Sequence, residues 1–213
     1  YKNVEHLYGC IETDKFFPVE DVKRNELRKK FGLENSFVGV NTFRNQTRKS
    51  IPNLLDGFKL FKEENPNVNV KLIFVTSLQE GWDIPRLIQE RGIDFNDIYF
   101  AYYCRACREW EVKPFYGHDQ DCPLCGSKNT FNSVNITHGI SDESLNLIYN
   151  CADFGLGVYN SGGAELPPAI EMKLAGLPVL ATSYSCGEDI TAEGRGALPL
   201  DYAITYEFGT LFQ

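Results

Sequence analysis

The sequence predicts an α/β fold in which a parallel sheet is covered by helices on both faces. Short apolar runs alternate along the chain with segments whose apolar residues recur at the helical period. Pro, Gly and Asn residues separate these segments. With 213 residues, of which 43% are hydrophobic, the chain is long enough to bury a sizeable core. Such alternation is typical of parallel sheets, in which ligands bind beyond the carboxyl ends of the strands.

The first half of the chain supplies strands and helices in strict alternation. Apolar runs predict strands at residues 37–42, 70–75 and 98–101, and helical spacing predicts helices at residues 51–64 and 83–91. An Asn-Pro-Asn sequence that begins at Asn65 breaks the first helix, and Gly92 ends the second. The loops that follow these strands should therefore share one edge of the sheet.

The second half continues the alternation. Ser141 is placed to cap a short helix, although Ser144 stands where a capping box would have Glu. The buried face of that helix should carry Leu145, Ile148 and Tyr149. Strands are predicted at residues 154–159 and 179–182, with a further one near 134–136, and a helix should begin at Pro167–Pro168 and end at 175–178.

The turn at residues 161–164, Ser-Gly-Gly-Ala, joins a predicted strand to the helix that carries Glu171. Glycines let the backbone approach a ligand closely, and a helix N-terminus behind such a turn attracts phosphate. Glu171, one turn into the helix, can accept hydrogen bonds from a ribose diol. An ordinary strand-to-helix turn of a doubly wound domain is the alternative interpretation.

Residues 158–182 resemble the donor-binding signature of the retaining GT-B glycosyltransferases of family 4. That signature reads Ser-x-x-Glu-Gly-Phe-Gly-Leu-Pro-x-x-Glu-Ala-Met-Ala-x-Gly-x-Pro-Val. The matching residues are Ser161, Pro168, Glu171, Met172, Gly176, Pro178 and Val179. The first Glu of the signature falls on Gly163, whereas Glu165 lies two positions later. Either the loop is rebuilt so that Glu165 takes that role, or the first carboxylate is absent.

Three further segments, at residues 8–33, 37–61 and 137–161, are similar to other parts of the same family domain. In the family, an Arg and a Lys of the loop after the first strand hold the donor diphosphate. Arg44 and Lys49 match them, with Arg48 as an adjacent alternative, although a solvated basic loop is equally compatible with the sequence. His138 matches a segment near the nucleobase, and a structural loop histidine is the other interpretation.

The resemblance implies transfer of a hexose from a nucleoside diphosphate sugar to an acceptor hydroxyl, with retention of configuration. Charge on the departing diphosphate would be stabilised by the basic loop and by amides near Gly163. The implied catalytic residues are Arg44, Lys49 and Glu165, and the implied donor-binding residues are Gly162, Gly163, Ala164, Leu166, Glu171 and His138. GDP-mannose is the first candidate donor, UDP-hexoses are the second, and no catalytic metal is expected.

The resemblance extends over nearly the whole chain but covers only the second half of a GT-B enzyme. The family's N-terminal domain, which binds the carbohydrate or glycan acceptor, has no counterpart here. We therefore expect this chain to be a fragment or an isolated domain that binds nucleotide and has no measurable transferase activity by itself.

Two CxxC pairs, with 14 residues between them, are not a usual part of that family domain. Four thiolates in two such pairs suit a tetrahedral Zn²⁺ and leave no coordination position open, which indicates a structural metal. The predicted ligands are Cys104, Cys107, Cys122 and Cys125. Reduced or disulfide-bonded pairs are the alternative.

The cysteine pairs divide the predicted domain. Residues 1–101 and 133–213 form the Rossmann-like nucleotide-sugar-binding domain, and residues 102–132 form an inserted module similar to a zinc ribbon. The aromatic residues of the insert serve either as a small core around the metal or as a docking surface for an acceptor or a protein.

Composition restricts the remaining classes of function. A formal net charge of −8 argues against nucleic-acid binding led by the cysteine module. No apolar run approaches the length of a membrane span. Seven cysteines without an even framework suit a reducing compartment, so we expect a cytoplasmic protein. A binding module that kept the fold without catalysis is the main alternative, since Gly163 stands where the family has Glu.

Overall fold

Helices and strands alternate along the chain in a computed structural model that describes residues 11–118, 120–135, 137–158 and 166–202. The helices are α1 (Asp21–Lys30), α2 (Ile51–Glu64), α3 (Ile84–Glu90), α4 (Asp142–Cys151), α5 (Leu166–Leu174) and α6 (Cys186–Thr191). The strands are β1 (Phe37–Asn41), β2 (Val70–Phe74), β3 (Ile98–Cys104), β4 (Trp110–Pro114), β5 (Phe131–Ser133), β6 (Phe154–Gly157), β7 (Val179–Thr182) and β8 (Ala197–Leu200).

All of these strands belong to one sheet, whose order is β4-β3-β2-β1-β6-β7-β8, with β5 also paired to β3. Neighbouring strands from β3 through β2, β1, β6 and β7 to β8 are parallel, and β4 and β5 run antiparallel to β3. The predicted α/β fold with a parallel sheet is confirmed. The chain moves outward from β1 to β3 and then returns to the other side of β1, so the strand order reverses between β1 and β6. In sheets of this kind the crevice at such a reversal is the usual ligand site.

Alternate residues of the strands point to opposite faces, and helices cover both faces. Leu72 of β2 belongs to a buried cluster with residues of α2 and α3, whereas its neighbour Ile73 belongs to a cluster with residues of α1, α4 and α5. Both side chains are fully buried. The period of two in a strand and the apolar stripes of the helices together produce this three-layer arrangement.

An ion-pair cluster fixes α1 against the sheet. The carboxylate of Asp153, just before β6, accepts hydrogen bonds from Arg24 Nη2 at 2.6 Å and Arg28 Nη1 at 3.1 Å. It also accepts from the backbone N–H of Val38 in β1 at 2.8 Å. Because this cluster joins β1 to the start of β6, it holds together the two strands that flank the reversal.

The cysteine-containing segment adds to the same sheet. The strand predicted at 98–101 continues to Cys104, so the proposed domain boundary after residue 101 falls inside β3. The strand predicted near 134–136 is found three residues earlier, as β5, which ends at Ser133 and pairs antiparallel with β3. Tyr102 and Phe131 stack with ring centroids 5.5 Å apart, in the same apolar cluster as Leu72.

No helix in the described ranges is long and apolar enough to cross a membrane.

Candidate functional site

The loops after β1 and β2 are hydrogen-bonded to each other at the carboxyl edge of the sheet. The buried side-chain amide of Asn45 donates to the carbonyls of Ser77, at 3.1 Å, and Trp82, at 2.8 Å, and it accepts from the N–H of Trp82 at 3.0 Å. Gly81 has φ +67°, and a Cβ there would come within 2.1 Å of the Asn45 carbonyl oxygen. Any other residue at position 81 would therefore separate the two loops.

Arg44 lies in the loop after β1 and forms a bidentate ion pair. Its Nε is 3.1 Å from both carboxylate oxygens of Glu80, and its Nη2 is 3.0 Å from Glu80 Oε2. Hydrogen bonding to Glu80 raises the pKa of Arg44 above its ordinary value. The Arg44 side chain remains 53% exposed, so it can reach a ligand, but an anion must share the guanidinium with Glu80 or displace that carboxylate. Sequence reasoning did not include Glu80.

Lys49 has a different environment from Arg44, although both belong to the basic loop. The residue is only 5% exposed, and its Nζ lies 5.0 Å from the centroid of the Phe43 ring, a cation–π distance. It closes a 3-10 turn over Thr47–Lys49, and Ser50 then adopts φ 45° before α2 begins. Arg48, the alternative candidate, donates from Nε to Gln46 Oε1 at 3.2 Å.

Glu171 projects from α5, the helix that follows β6, and contacts a buried tyrosine. The Tyr149 hydroxyl donates to Glu171 Oε2 at 2.8 Å. Burial raises the pKa of Glu171, and the hydrogen bond from Tyr149 opposes that shift. Burial also raises the pKa of Tyr149 well above its usual value, with a further contribution from the Glu171 carboxylate. Oε1 of Glu171 has no hydrogen-bond partner within the described part of the chain.

Gly155 allows the helix that carries Glu171 to pack closely against β6. A Cβ at Gly155 in β6 would lie 2.4 Å from Met172 Sδ in α5. The fully buried Met172 therefore packs directly on the β6 backbone. This close approach holds the second half of α5 against β6, one of the two strands that flank the reversal.

The predicted turn that precedes α5 lies outside the described residues. Gly162, Gly163, Ala164 and Glu165 all belong to it, and Leu166 is described only as the first residue of α5. The roles of these residues, and the replacement of the family's first Glu by Glu165, therefore stay predictions. No contact between Arg44 or Lys49 and Glu171 is seen, so their convergence on one ligand is also still a prediction.

His138 lies in a tight turn closed by Asn135. Asn135 Oδ1 accepts from the backbone N–H groups of Thr137 and His138, each at 2.9 Å, and lies 2.8 Å from the Thr137 hydroxyl. The same hydroxyl is 2.9 Å from His138 Nδ1. The turn borders a cleft of about 210 Å³ whose other walls come from the loop after β2 and the cysteine-containing segment.

The four predicted metal ligands come together. Their sulfur atoms all lie within 4.8 Å of one another, with Cys104 Sγ 3.8 Å from Cys125 Sγ and Cys107 Sγ 3.8 Å from Cys122 Sγ. A tetrahedron with Zn–S bonds of ~2.3 Å has edges of about 3.8 Å. A disulfide would need ~2.05 Å, and all four cysteines are free. The cluster is a possible metal site.

Backbone N–H groups point at two of these sulfur atoms. The N–H groups of Ala106 and Cys107 each point at Cys104 Sγ at 3.4 Å, and the N–H of Leu124 points at Cys122 Sγ at 3.4 Å. Although burial opposes ionisation, the bond from Thr130 and those from the Ala106 and Cys107 N–H groups lower the pKa of Cys104, whereas burial raises the pKa of Cys122. Since the thiolate is the form that binds metal, the donor set fits a thiophilic ion.

Comparisons with known proteins give structural neighbours only. No protein-family model matches the sequence, and no curated protein matches it significantly. The HepE protein of Anabaena, in complex with UDP and glucose, superimposes with a TM-score of 0.61 at 13% identity, over 91% of this chain and 42% of that one. Its complex with UDP-glucose gives 0.58 at 16% identity, over 87% and 40%. A glycosyltransferase from Rickettsia africae gives 0.60 at 12% identity, over 90% and 41%.

These similarities establish the fold. One of these neighbours is named as a glycosyltransferase, and the domain matched here has the Rossmann-like GT-B fold that was predicted. The chain spans about two fifths of the length of the solved structures it matches. The described part of this chain thus has the fold of a GT-B glycosyltransferase domain.

Proposed function

We propose that this chain is the donor-binding half of a retaining glycosyltransferase, which moves a hexose from a nucleoside diphosphate sugar to an acceptor hydroxyl. The observation that carries the proposal is the position of Glu171 and the basic loop. They lie on the segments that follow β6 and β1, the two strands between which the strand order reverses. Because ligands of such sheets bind where the strand order reverses, this position supports our proposal that the carboxylate of Glu171 and the cations of the basic loop act on one donor.

Each residue has a chemical role in this proposal. Oε1 of Glu171 accepts hydrogen bonds from the ribose, while Oε2 is held by Tyr149. Arg44 and Lys49 stabilise the negative charge that develops on the departing diphosphate. Backbone amides at residues 162–166 assist at the start of α5. Glu165 holds hydroxyl groups of the donor sugar.

The donor base is the least constrained part of the proposal. The sequence resemblance favoured GDP-mannose, whereas the HepE structures contain UDP or UDP-glucose. Because these neighbours share few residues with this chain, both UDP-hexoses and GDP-mannose are candidate donors. The acceptor glycan would bind a further N-terminal domain.

The cysteine cluster completes the proposal as a structural zinc site. Cys104, Cys107, Cys122 and Cys125 would hold Zn²⁺, whose charge stabilises four neighbouring thiolates and thereby the fold of residues 102–132. Reduced thiolates require a reducing compartment, which is why we place the protein in the cytoplasm.

Calorimetric titration with UDP and GDP tests the donor site. Glu171→Gln should weaken binding of either nucleotide by about tenfold, the scale of a charge-assisted hydrogen bond. The exposed Glu64 provides the matched control, since Glu64→Gln changes the net charge equally at the end of α2. Equal affinities for the two variants would refute the assigned site.

A non-catalytic nucleotide-sugar-binding module is the second candidate. Gly163, at the position of the family's first carboxylate, favours it. Binding cannot separate the two candidates, whereas turnover can. A longer protein that includes the acceptor domain should transfer hexose if the first candidate is correct, and it should only bind donor if the second is.

A further inference from the structure

A short segment that precedes α1, residues 15–19, lies along α4, and two side chains of that helix hold its backbone. Phe17 N–H donates to Asn146 Oδ1 at 3.1 Å, and Val19 N–H donates to Asn150 Oδ1 at 2.8 Å. The Asn150 amide also donates back to the Phe17 carbonyl at 3.1 Å. Both asparagines are buried, and a buried amide without partners is costly, so these bonds fix the segment in place. We call residues 15–19 the strap.

The strap and α4 stay in register along their contact. Alternate strap residues meet α4 residues that are four positions apart: Lys15 Nζ lies 3.0 Å from Asp142 Oδ2, while Phe17 and Val19 bond to the two asparagines. Two residues of extended chain advance about 6.6 Å and four residues of helix about 6 Å, so the two repeats nearly match. The intervening strap residues make a different set of contacts.

These intervening residues, Phe16 and Pro18, contact the two helices that carry Tyr149 and Glu171. Phe16 is only 5% exposed, and its ring centroid lies 5.9 Å from that of Tyr149 in α4. A Cβ at Gly176 would lie 3.2 Å from Pro18 Cγ, so Pro18 packs on the turn that ends α5. The strap thus touches both helices, which the hydrogen bond from Tyr149 to Glu171 also joins.

A chain of contacts therefore leads from the strap to the carboxylate. The Phe16 ring restricts the Tyr149 ring, and the Tyr149 hydroxyl restricts Glu171 Oε2. Closely packed, hydrogen-bonded side chains can transmit a displacement because each has few alternative positions. Among the described residues, Phe16 supplies the ring that packs on the fully buried Tyr149. Displacement of Phe16 would therefore allow Tyr149 to turn its hydroxyl away from Glu171.

We infer that the strap is a positioning element for the donor site, in which Phe16 acts on Glu171 through Tyr149. A strap seated on α4 holds Glu171 in the orientation that binds the nucleotide, and a strap displaced from α4 releases it. By linkage, nucleotide binding must stabilise the seated strap by the same factor. The inference rests on the proposed role of Glu171 and goes beyond it, because it makes donor affinity depend on a segment outside the candidate donor site.

Carbon-13 NMR titration of the Glu171 carboxyl group tests the contact path without any nucleotide. The hydrogen bond from Tyr149 lowers the pKa of Glu171, so Phe16→Leu, which releases Tyr149, should raise that pKa. The variant keeps the pair of Lys15 with Asp142, whose charge also acts on Glu171. An unchanged or lowered pKa of Glu171 in Phe16→Leu would overturn the inference.

Two further variants separate the path from general destabilisation. Phe31→Leu is the matched control, since Phe31 is as buried as Phe16 but packs on Trp110, and it should leave the pKa of Glu171 unchanged. Val19→Pro removes an N–H that holds the strap on α4, so it should raise the pKa as Phe16→Leu does. Equal shifts in Phe31→Leu and Phe16→Leu would assign the effect to any loss of core packing and would overturn the inference.

Calorimetric titration with UDP and GDP tests the effect on the donor. Phe16→Leu should weaken nucleotide binding about fivefold, the scale of one hydrogen bond, and should have no further effect in a Tyr149→Phe background. Equal effects in both backgrounds would overturn the path through Tyr149. If Glu171→Gln weakens binding and Phe16→Leu does not, the inference alone is wrong. If Glu171→Gln leaves binding unchanged while Phe16→Leu raises the pKa of Glu171, the proposed donor role is wrong and the path from the strap to Glu171 is confirmed.

Discussion

The Tyr149 hydroxyl donates a 2.8 Å hydrogen bond to Glu171 Oε2 and thereby links α4 to α5 beside the candidate donor crevice. Tyr149 is fully buried, so its hydroxyl cannot rotate out to solvent. The hydrogen bond thus fixes Oε2 of Glu171, and this fixes the direction in which Oε1 can accept a hydrogen bond from a ligand. Such a fixed acceptor loses little side-chain entropy when a ligand binds.

Glu171 should make stability depend on pH. Burial raises the pKa of Glu171 in the folded chain above the ordinary 4.5. The folded state therefore holds its proton to a higher pH than the unfolded state, and stability falls as pH rises from about 4.5 through the raised pKa. Glu171→Gln should remove this dependence, so the stability of the variant relative to wild type should increase across that window. Urea unfolding at several pH values measures the difference, and a flat or decreasing difference would contradict it.

Glu80 should weaken diphosphate binding by competing for Arg44. The bidentate pair occupies guanidinium N–H groups of Arg44 that could otherwise bind phosphate oxygens. Glu80→Gln should strengthen UDP or GDP binding by a few-fold, because it removes a competing negative charge, and Arg44→Gln should weaken it. Glu90→Gln is the control, since Glu90 pairs with Arg86 in an exposed pair on α3. Calorimetry at low salt gives the affinities, and weaker binding by Glu80→Gln would show that Glu80 assists the ligand.

Lys49 should contribute to nucleotide diphosphate binding through its positive charge. Its ammonium group lies over Phe43 in a site that is only 5% exposed, where a phosphate would interact with it more strongly than in water. Lys49→Met keeps most of the aliphatic side chain, and should weaken nucleotide diphosphate binding by ~1.5–3 kcal/mol. Lys59→Met, on the exposed face of α2, should have no effect. Calorimetric titration measures the nucleotide affinity of both variants. Equal affinities would contradict the assignment of Lys49 to the diphosphate.

The sequence predicted features that neighbouring residues determine, and it missed features that depend on contacts between residues far apart in the chain. Helix α2 was predicted at its observed bounds. Its apolar residues recur at the helical period, and Asn65 ends it, so both signals lie within the segment itself. Likewise, the spacing of the four cysteines predicted a cluster that the structure confirms. In contrast, Glu80 and Tyr149 could not be assigned to the site, since their contacts join residues 36 and 22 positions apart. Strand β5 lies three residues before its predicted position, because its pairing with the distant strand β3 sets its bounds.

Zinc should bind in a one-to-one ratio and should be required for the structure around the cysteines. Elemental analysis should find one Zn²⁺ per chain, with Zn–S distances near ~2.3 Å by X-ray absorption. Cys122→Ser should lose the metal, because three thiolates leave the tetrahedral set incomplete. Cys151→Ser is the control, since Cys151 is buried elsewhere and its thiol donates to the Leu147 carbonyl at 3.3 Å. A full metal content in Cys122→Ser would contradict the assignment.

The effect of zinc loss should fade along β3. Cys104, at its end, pairs with Phe131 of β5 and bonds to Glu109 of the cysteine turn, whereas Ile98 and Phe100 pair with Leu72 and Phe74 of β2. Removal of the metal should therefore increase hydrogen exchange sharply at residues 104–109 and 120–131, moderately at Tyr102, and little in β1 and β2, because the larger apolar clusters hold those strands. Nucleotide binding at Arg44, Lys49 and Glu171 should persist. Its loss in a chelated protein whose β1 and β2 amides stay protected would instead place the cysteine segment in the donor site.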